Sequence, residues 1–122
     1  MKEALEQIVS VIARGNPEVT AAVIVDANGG VQASESATKD MIQAAIAFAV
    51  PLRELLDRTA AELGCGGLKG TLVEGSAASF ALADVDGDRT AIVIGASGAA
   101  AGALRADCFW LAERVRESEG LS

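Results

Sequence analysis

Two short turn signals restrict the fold more than any other feature: Asn28-Gly29-Gly30 and Asp86-Gly87 each separate a pair of apolar, β-branched runs. Because Asn-Gly and Asp-Gly favour the positive φ angles of a two-residue turn, each pair of runs predicts a β-hairpin. A further run before the second hairpin extends it to three strands. The strand-like runs span residues 19–25, 31–35, 68–74, 78–85 and 89–94. Consecutive hairpins predict an antiparallel sheet.

Three segments with helical periodicity surround these runs, at residues 3–13, 39–63 and 99–117. Thr38 is an N-cap candidate for the middle helix, and Gly64 is expected to end it. The last helix carries an apolar stripe of Leu104, Cys108, Leu111 and Val115. We therefore predict an α+β fold of order αββαβββα, with a five-stranded antiparallel sheet and helices on both faces. We expect one domain over residues 1–122, with a frayed tail at 118–122.

The composition excludes several classes of activity. Histidine is absent and there are two cysteines, so neither a triad nor a cysteine-only zinc site is available. The net charge of −7 opposes binding to nucleic acid or to anionic membranes, and no apolar run reaches the roughly 20 residues of a membrane span. The alternating Asp84, Asp86 and Asp88 fail the calcium-loop pattern, because Arg89 stands where glycine is needed. We predict no catalytic residue, cofactor or metal, no nucleic acid, no membrane insertion and a cytoplasmic protein.

The middle helix is unusual because its first half is apolar on every side. One side forms the expected core stripe, made of Met41, Ala45, Phe48, Leu52, Leu55, Leu56 and Leu63. The other side carries Ile46, Ala47, Val50 and Pro51. Either a loop or helix of the same domain covers this second side, or it is a subunit or partner interface. Trp110 of the last helix leaves two similar alternatives: packing against the first helix, or an exposed anchor for a partner.

The order of elements resembles the roadblock family, typified by the dynein light chain roadblock. The resemblance extends over about residues 2–117 and rests on several local patterns in sequence. They are the strand and turn at 20–30, the alanine-rich start of the middle helix, Leu82 to Asp86-Gly87 with the strand after it, and Ala101-Gly102-Ala103-Leu104-Arg105. Pro51 within the middle helix departs from the family pattern.

The resemblance implies a roadblock/profilin-like fold and a homodimer in which the middle helices pack together and the third strands pair. It also implies a non-enzymatic regulator or adaptor, and bacterial relatives bind a small Ras-like GTPase and stimulate its hydrolysis without supplying an arginine finger. The predicted dimer interface comprises Ile42, Ile46, Ala49, Val50, Leu68, Thr71, Leu72 and Val73. The predicted GTPase-docking surface comprises Gln43, Ala47, Arg53, Glu54 and Asp57. A ligand-sensing domain and a purely architectural protein-interaction domain are the alternatives.

Overall fold

A computed structural model describes residues 2–96 and 101–120, and it confirms the predicted α+β architecture. The elements are α1 (Lys2–Gly15), β1 (Val19–Val25), β2 (Val31–Glu35), α2 (Lys39–Glu62), β3 (Gly70–Glu74), β4 (Ala78–Asp84), β5 (Thr90–Ala96) and α3 (Ala101–Ser118). The predicted start of the last helix at residues 99–100 lies outside the described residues. In the predicted tail, Ser118 is still helical, and Glu119 forms an ion pair with Arg89.

The five strands form one antiparallel sheet of order β2-β1-β5-β4-β3. The first and last strands of the pattern, β1 and β5, are therefore paired at its centre, and β2 and β3 are its edges. Helices α1 and α3 cover one face, and α2 lies on the other. The sheet thus separates two apolar layers of unequal depth.

The layer under α1 and α3 is the larger core, and many of the sheet residues in this core are alanines. The sheet contributes Ala22, Ala33, Ala81, Ala83 and Ala91 to it. Ile24 and Val93 of the sheet and larger residues of the two helices, such as Leu104 and Leu111, fill the rest of this layer. The predicted stripe of α3 is confirmed, since Leu104, Cys108, Leu111 and Val115 are all buried.

The turn between β1 and β2 differs from the predicted two-residue type. Among its residues only Gly29 has a positive φ, of 83°, whereas the predicted turn needs two. The loop is closed by hydrogen bonds from the Asp26 amide to the Gly30 carbonyl (2.8 Å) and from the Gly29 amide to the Asp26 carbonyl (3.0 Å). The Asp26 carboxylate also accepts from the amides of Asn28 and Gly30, at 2.9 and 2.8 Å. This aspartate chemistry widens the turn.

Candidate functional site

Helix α2 is well formed but only weakly covered by its own chain. The Thr38 hydroxyl accepts from the Met41 amide at 3.1 Å, as predicted for an N-cap. At the other end, Gly64 has a φ of 79°, and the amides of Gly64 and Cys65 bond back to the last turn. Of the 24 residues of α2, all of them described, Ala49 alone is buried. A large apolar surface on this helix is therefore open.

The open surface coincides with much of the stripe that the sequence assigns to the core. Met41, Ala45, Leu52 and Leu56 are half-buried, but Phe48 is 68% exposed, Leu55 is 61% exposed and Leu63 is 74% exposed. That part of the prediction is wrong. Helical periodicity locates an apolar face, but it does not distinguish burial in the chain's own core from a surface that another molecule would cover.

An apolar groove of about 400 Å³ separates this side of α2 from the sheet. The helix contributes one wall and strands β4 and β5 form the floor. The lining residues are Met41, Ala44, Ala45, Phe48, Ala49, Leu52, Ala78, Ser79, Phe80, Leu82, Ile92 and Ile94. Ser79 is the only hydroxyl-bearing side chain among them, so the groove suits an apolar occupant.

Of the predicted interface residues of α2, Ala49 lines the groove, whereas Ile42, Ile46 and Val50 do not. Ala49 faces the sheet, and Ile42 and Val50 are half-buried. Ile46 is partly exposed but lies beside the β1–β2 turn. The two segments are so close that a Cβ atom added to Gly29 would lie 3.3 Å from the Ile46 carbonyl oxygen. A loop of the same chain thus covers part of this side.

The predicted interface residues around β3 lie at an open sheet edge. Leu68, Thr71 and Leu72 are half-buried and Val73 is exposed. Leu72 packs against the core under α1 and α3. Within the described sheet β3 pairs with β4 alone, so its second side presents unpaired backbone groups.

The five residues predicted to dock a partner do not share one environment. Gln43, Ala47 and Glu54 are exposed on the outward side of α2. Asp57 is exposed, but its carboxylate accepts from the Leu68 amide at 2.8 Å and so holds the loop before β3. Arg53 points inward, with 14% of its side chain exposed.

Arg53 connects α2 to the turn between β4 and β5. Its Nη1 donates to the Arg89 carbonyl oxygen at 2.8 Å and to the Thr90 hydroxyl at 3.0 Å. Its Nη2 donates to the Asp84 carboxylate. Sequence reasoning assigned this residue to a partner, although its position four residues after Ala49 places it near the sheet-facing side of the helix.

The same turn is held from the opposite face of the sheet by α3 and its C-terminal end. Arg89 is buried and forms ion pairs with Asp86 and Glu119. The hydrogen bond to Glu119 raises the pKa of Arg89, against the opposing effect of burial. Arg116 donates to the carbonyl oxygens of Asp84 and Val85, at 3.2 and 2.7 Å. Sequence reasoning missed this cluster, whose one local signal is an arginine directly after an acidic turn.

Other side chains with reactive or recognition chemistry lie apart from α2. Burial raises the pKa of the Cys108 thiol to about 12, which keeps it protonated. Trp110 is partly exposed at the junction of α1 and α3, with the Arg114 guanidinium 5.5 Å from its ring centre.

Over the ranges that the structure describes, no group of three or more acidic or cysteine side chains is placed to hold a metal ion. Helices long and apolar enough to cross a bilayer are likewise not found there.

Comparison with solved structures identifies the fold. The Roadblock/LC7 domain from Streptomyces avermitilis superposes with a TM-score of 0.82 at 20% identity, covering 94% of this chain and 97% of that one. Gliding protein MglB from Thermus thermophilus gives 0.84 at 13% identity, over 99% and 92%. Profilin II from Acanthamoeba castellanii gives 0.67 at 15% identity, over 94% and 98%. No family model and no curated protein sequence matches. The chain has the Roadblock/LC7 fold, and the predicted resemblance is confirmed at that level.

Proposed function

We propose that this protein is a non-enzymatic regulatory module that works as a homodimer and binds a small Ras-like GTPase, changing its nucleotide cycle. The observation that carries the proposal is the uncovered apolar side of α2. This side borders the groove, and the floor of the groove belongs to the same sheet as the open β3 edge. The family resemblance assigns contact with a second copy to the middle helix and the third strand, and on the helix it names Ile42, Ile46, Ala49 and Val50.

The geometry favours a particular side of α2 for the dimer contact. Phe48 and Leu52 line the groove, whereas Ile46 lies against the β1–β2 turn. Leu55, one turn further along α2, is 61% exposed. Burying large exposed apolar side chains is the main driving force for association. We therefore place the dimer contact on the Phe48 side of α2 and on β3, and we keep Ile46 at its margin.

The outward side of α2 is the proposed contact with the GTPase. Once a second copy covers the Phe48 side, Gln43, Ala47 and Glu54 remain exposed. The acidic net charge of −7 favours a basic partner surface and speeds encounter with it. Arg53 is occupied inside the chain. The family resemblance implies regulation by contact that reshapes the GTPase rather than by an inserted arginine.

A matched pair of variants tests the GTPase contact. The GTPases encoded beside this gene are titrated with the protein, and binding and GTP hydrolysis are measured. We expect Glu54→Lys, on the outward side of α2, to weaken binding at least tenfold, since it reverses a charge at the proposed contact. Glu113→Lys makes the same change on exposed α3 and should bind like the unmodified protein. If the unmodified protein neither binds these GTPases nor alters their hydrolysis, the proposed role is wrong.

The groove supports a second candidate, a ligand-sensing domain. Its volume of about 400 Å³ is in the range of small-molecule sites, and its lining would hold an apolar ligand. We rank this candidate lower because Ser79 alone among the lining side chains offers a hydroxyl to orient a ligand. Displacement of a fluorescent apolar dye by a second copy, rather than by small molecules, would favour the dimer.

The proposed setting is the cytoplasm, where a Ras-like GTPase would be met. The exposed free thiol of Cys65 is compatible with a reducing compartment.

A further inference from the structure

We propose that α2 is a releasable element, held closed over the sheet by the contacts of Arg53 with Asp84, Arg89 and Thr90, which we call the Arg53 tether. Release would change the shape of the groove and of the side of α2 that carries Phe48. The tether itself is independent of the proposed function; its consequence for a second copy rests on that function.

The first reason is that the tether is strong compared with the rest of the contact between α2 and the sheet. Ala49 is the single buried residue along this fully described helix, and an alanine contributes little apolar area. By contrast, one guanidinium makes three hydrogen bonds to the turn, one of them to a carboxylate. Hydrogen bonds between charged groups are stronger than neutral ones, and these are mostly shielded from water. The tether is therefore the main polar attachment of α2 to the sheet, and it acts beside the apolar contacts that Ala45, Ala49 and Val50 make there.

The second reason is that the receiving turn is itself held in place. The Asp84 carboxylate also accepts from the Gly87 amide at 2.9 Å. Arg116 bonds the carbonyl oxygens of Asp84 and Val85, and Arg89 is paired on the other side of the turn. Since the turn is anchored by the larger core and α2 is not, loss of the tether would move the helix and leave the turn in place.

Release of α2 would change the groove, because the groove lies directly beside the tether. Its helix wall includes Phe48, Ala49 and Leu52, and the tether at Arg53 follows directly. Movement of α2 would therefore alter the groove along its wall. A contact that competes for the Asp84 carboxylate, such as a cationic side chain of a partner, would be the natural trigger.

Hydrogen–deuterium exchange of α2 amides tests the tether. To prevent a second copy from holding the helix, all proteins carry Phe48→Glu, a change at a side chain that is 68% exposed. In this background, Arg53→Gln is compared with Arg58→Gln, which removes the same charge from an exposed position of the same helix. We expect Arg53→Gln to speed exchange across α2 by about tenfold, as loss of a charged hydrogen bond predicts. The β1 and β5 amides should be unchanged.

Three outcomes would overturn the proposal. Exchange in α2 equal to that of Arg58→Gln would show that the tether does not hold the helix. A rise of equal size in the β1 and β5 amides would show general destabilisation instead of local release. If Arg53→Gln does not fold, Arg53→Met removes every donor of the tether and keeps a side chain of similar length. Exchange in α2 equal to that of Arg58→Gln in that variant would also refute the tether.

The result is separable from the proposed function. The oligomeric state is measured on the protein with Phe48 intact, and α2 exchange is measured in the Phe48→Glu background. A monomeric protein whose α2 exchange rises with Arg53→Gln supports the tether and refutes the dimer. A dimeric protein whose α2 exchange is unchanged by Arg53→Gln does the opposite.

Discussion

Truncation of Phe48 to alanine separates the two contributions of this side chain, one within the chain and one to a second copy. With 68% of the residue exposed, a phenylalanine side chain of roughly 200 Å² leaves about 140 Å² for another molecule to cover. At about 25 cal/mol per Å² this is about 3.5 kcal/mol, whereas the part already covered is about 1.5 kcal/mol. The larger share thus belongs to the proposed dimer.

Because alanine retains its Cβ, we expect about 2 kcal/mol to be lost per copy. A two-fold axis repeats the contact, so the dimer would lose about 4 kcal/mol, about a thousandfold increase in Kd. Urea unfolding of the isolated chain should change by about 1.5 kcal/mol or less, since most of the ring is not covered by its own chain.

Sedimentation velocity over a concentration series measures the dimer Kd directly. Leu63→Ala is the control, because Leu63, the C-cap residue of α2, is 74% exposed but does not line the groove. A Kd for Phe48→Ala within threefold of the Leu63→Ala value would place Phe48 outside any interface and refute our choice of helix side.

Two further predictions concern the core and the β4–β5 turn. Leu111→Ala, at a fully buried position of α3, should lower the free energy of unfolding in urea by about 2–5 kcal/mol; a loss under about 1 kcal/mol would contradict the described packing. Burial alone would raise the pKa of Asp86, but hydrogen bonds from the Arg89 side chain and from the Asp88 and Arg89 amides outweigh it and lower the pKa below the ordinary 3.8. Its stabilisation should therefore be complete above the ordinary pKa of 3.8 and be lost as the pH falls through the lower folded value. The Tm difference between the unmodified protein and Asp86→Asn, measured from about pH 6 to about pH 2, should shrink over this acid range, and a difference independent of pH would refute the assignment.

The element order was predictable because each segment carries its own period. The apolar stripe of α3 repeats with helical spacing, and the run at Val19–Val25 has β-branched residues bounded by turn signals. Both patterns reflect local geometry combined with burial, so they can be recognised without knowing which elements pack against the segment. The Thr38 cap was predictable for the same reason, since its hydroxyl acts only three residues away.

The candidate site was less predictable because its features depend on distant residues. The environment of Phe48 is decided by β4 and β5, which lie more than one element away along the chain. Arg53 contacts a turn that lies over thirty residues later in the chain, and the residues next to Arg53 in the sequence do not indicate that contact. The prediction of the β1–β2 turn type was wrong for a different reason. The Asp26 carboxylate competes for the turn amides, and the Asn-Gly rule for hairpin turns does not include that carboxylate.

The pairing of β1 with β5 at the centre of the sheet also constrains how the chain folds. Val19 lies opposite Gly95 and Val25 opposite Thr90, so this contact joins the two halves of the sequence. The β1–β2 hairpin and the β3–β4–β5 meander each form from neighbouring segments, but the sheet is complete only after a long loop containing α2 has closed. Such long-range pairing predicts slower folding than that of a helical bundle of similar size. It also makes the two halves interdependent, because the alanine-lined core under α1 and α3 receives strands from both; each half alone lacks the central neighbour that its own strands require.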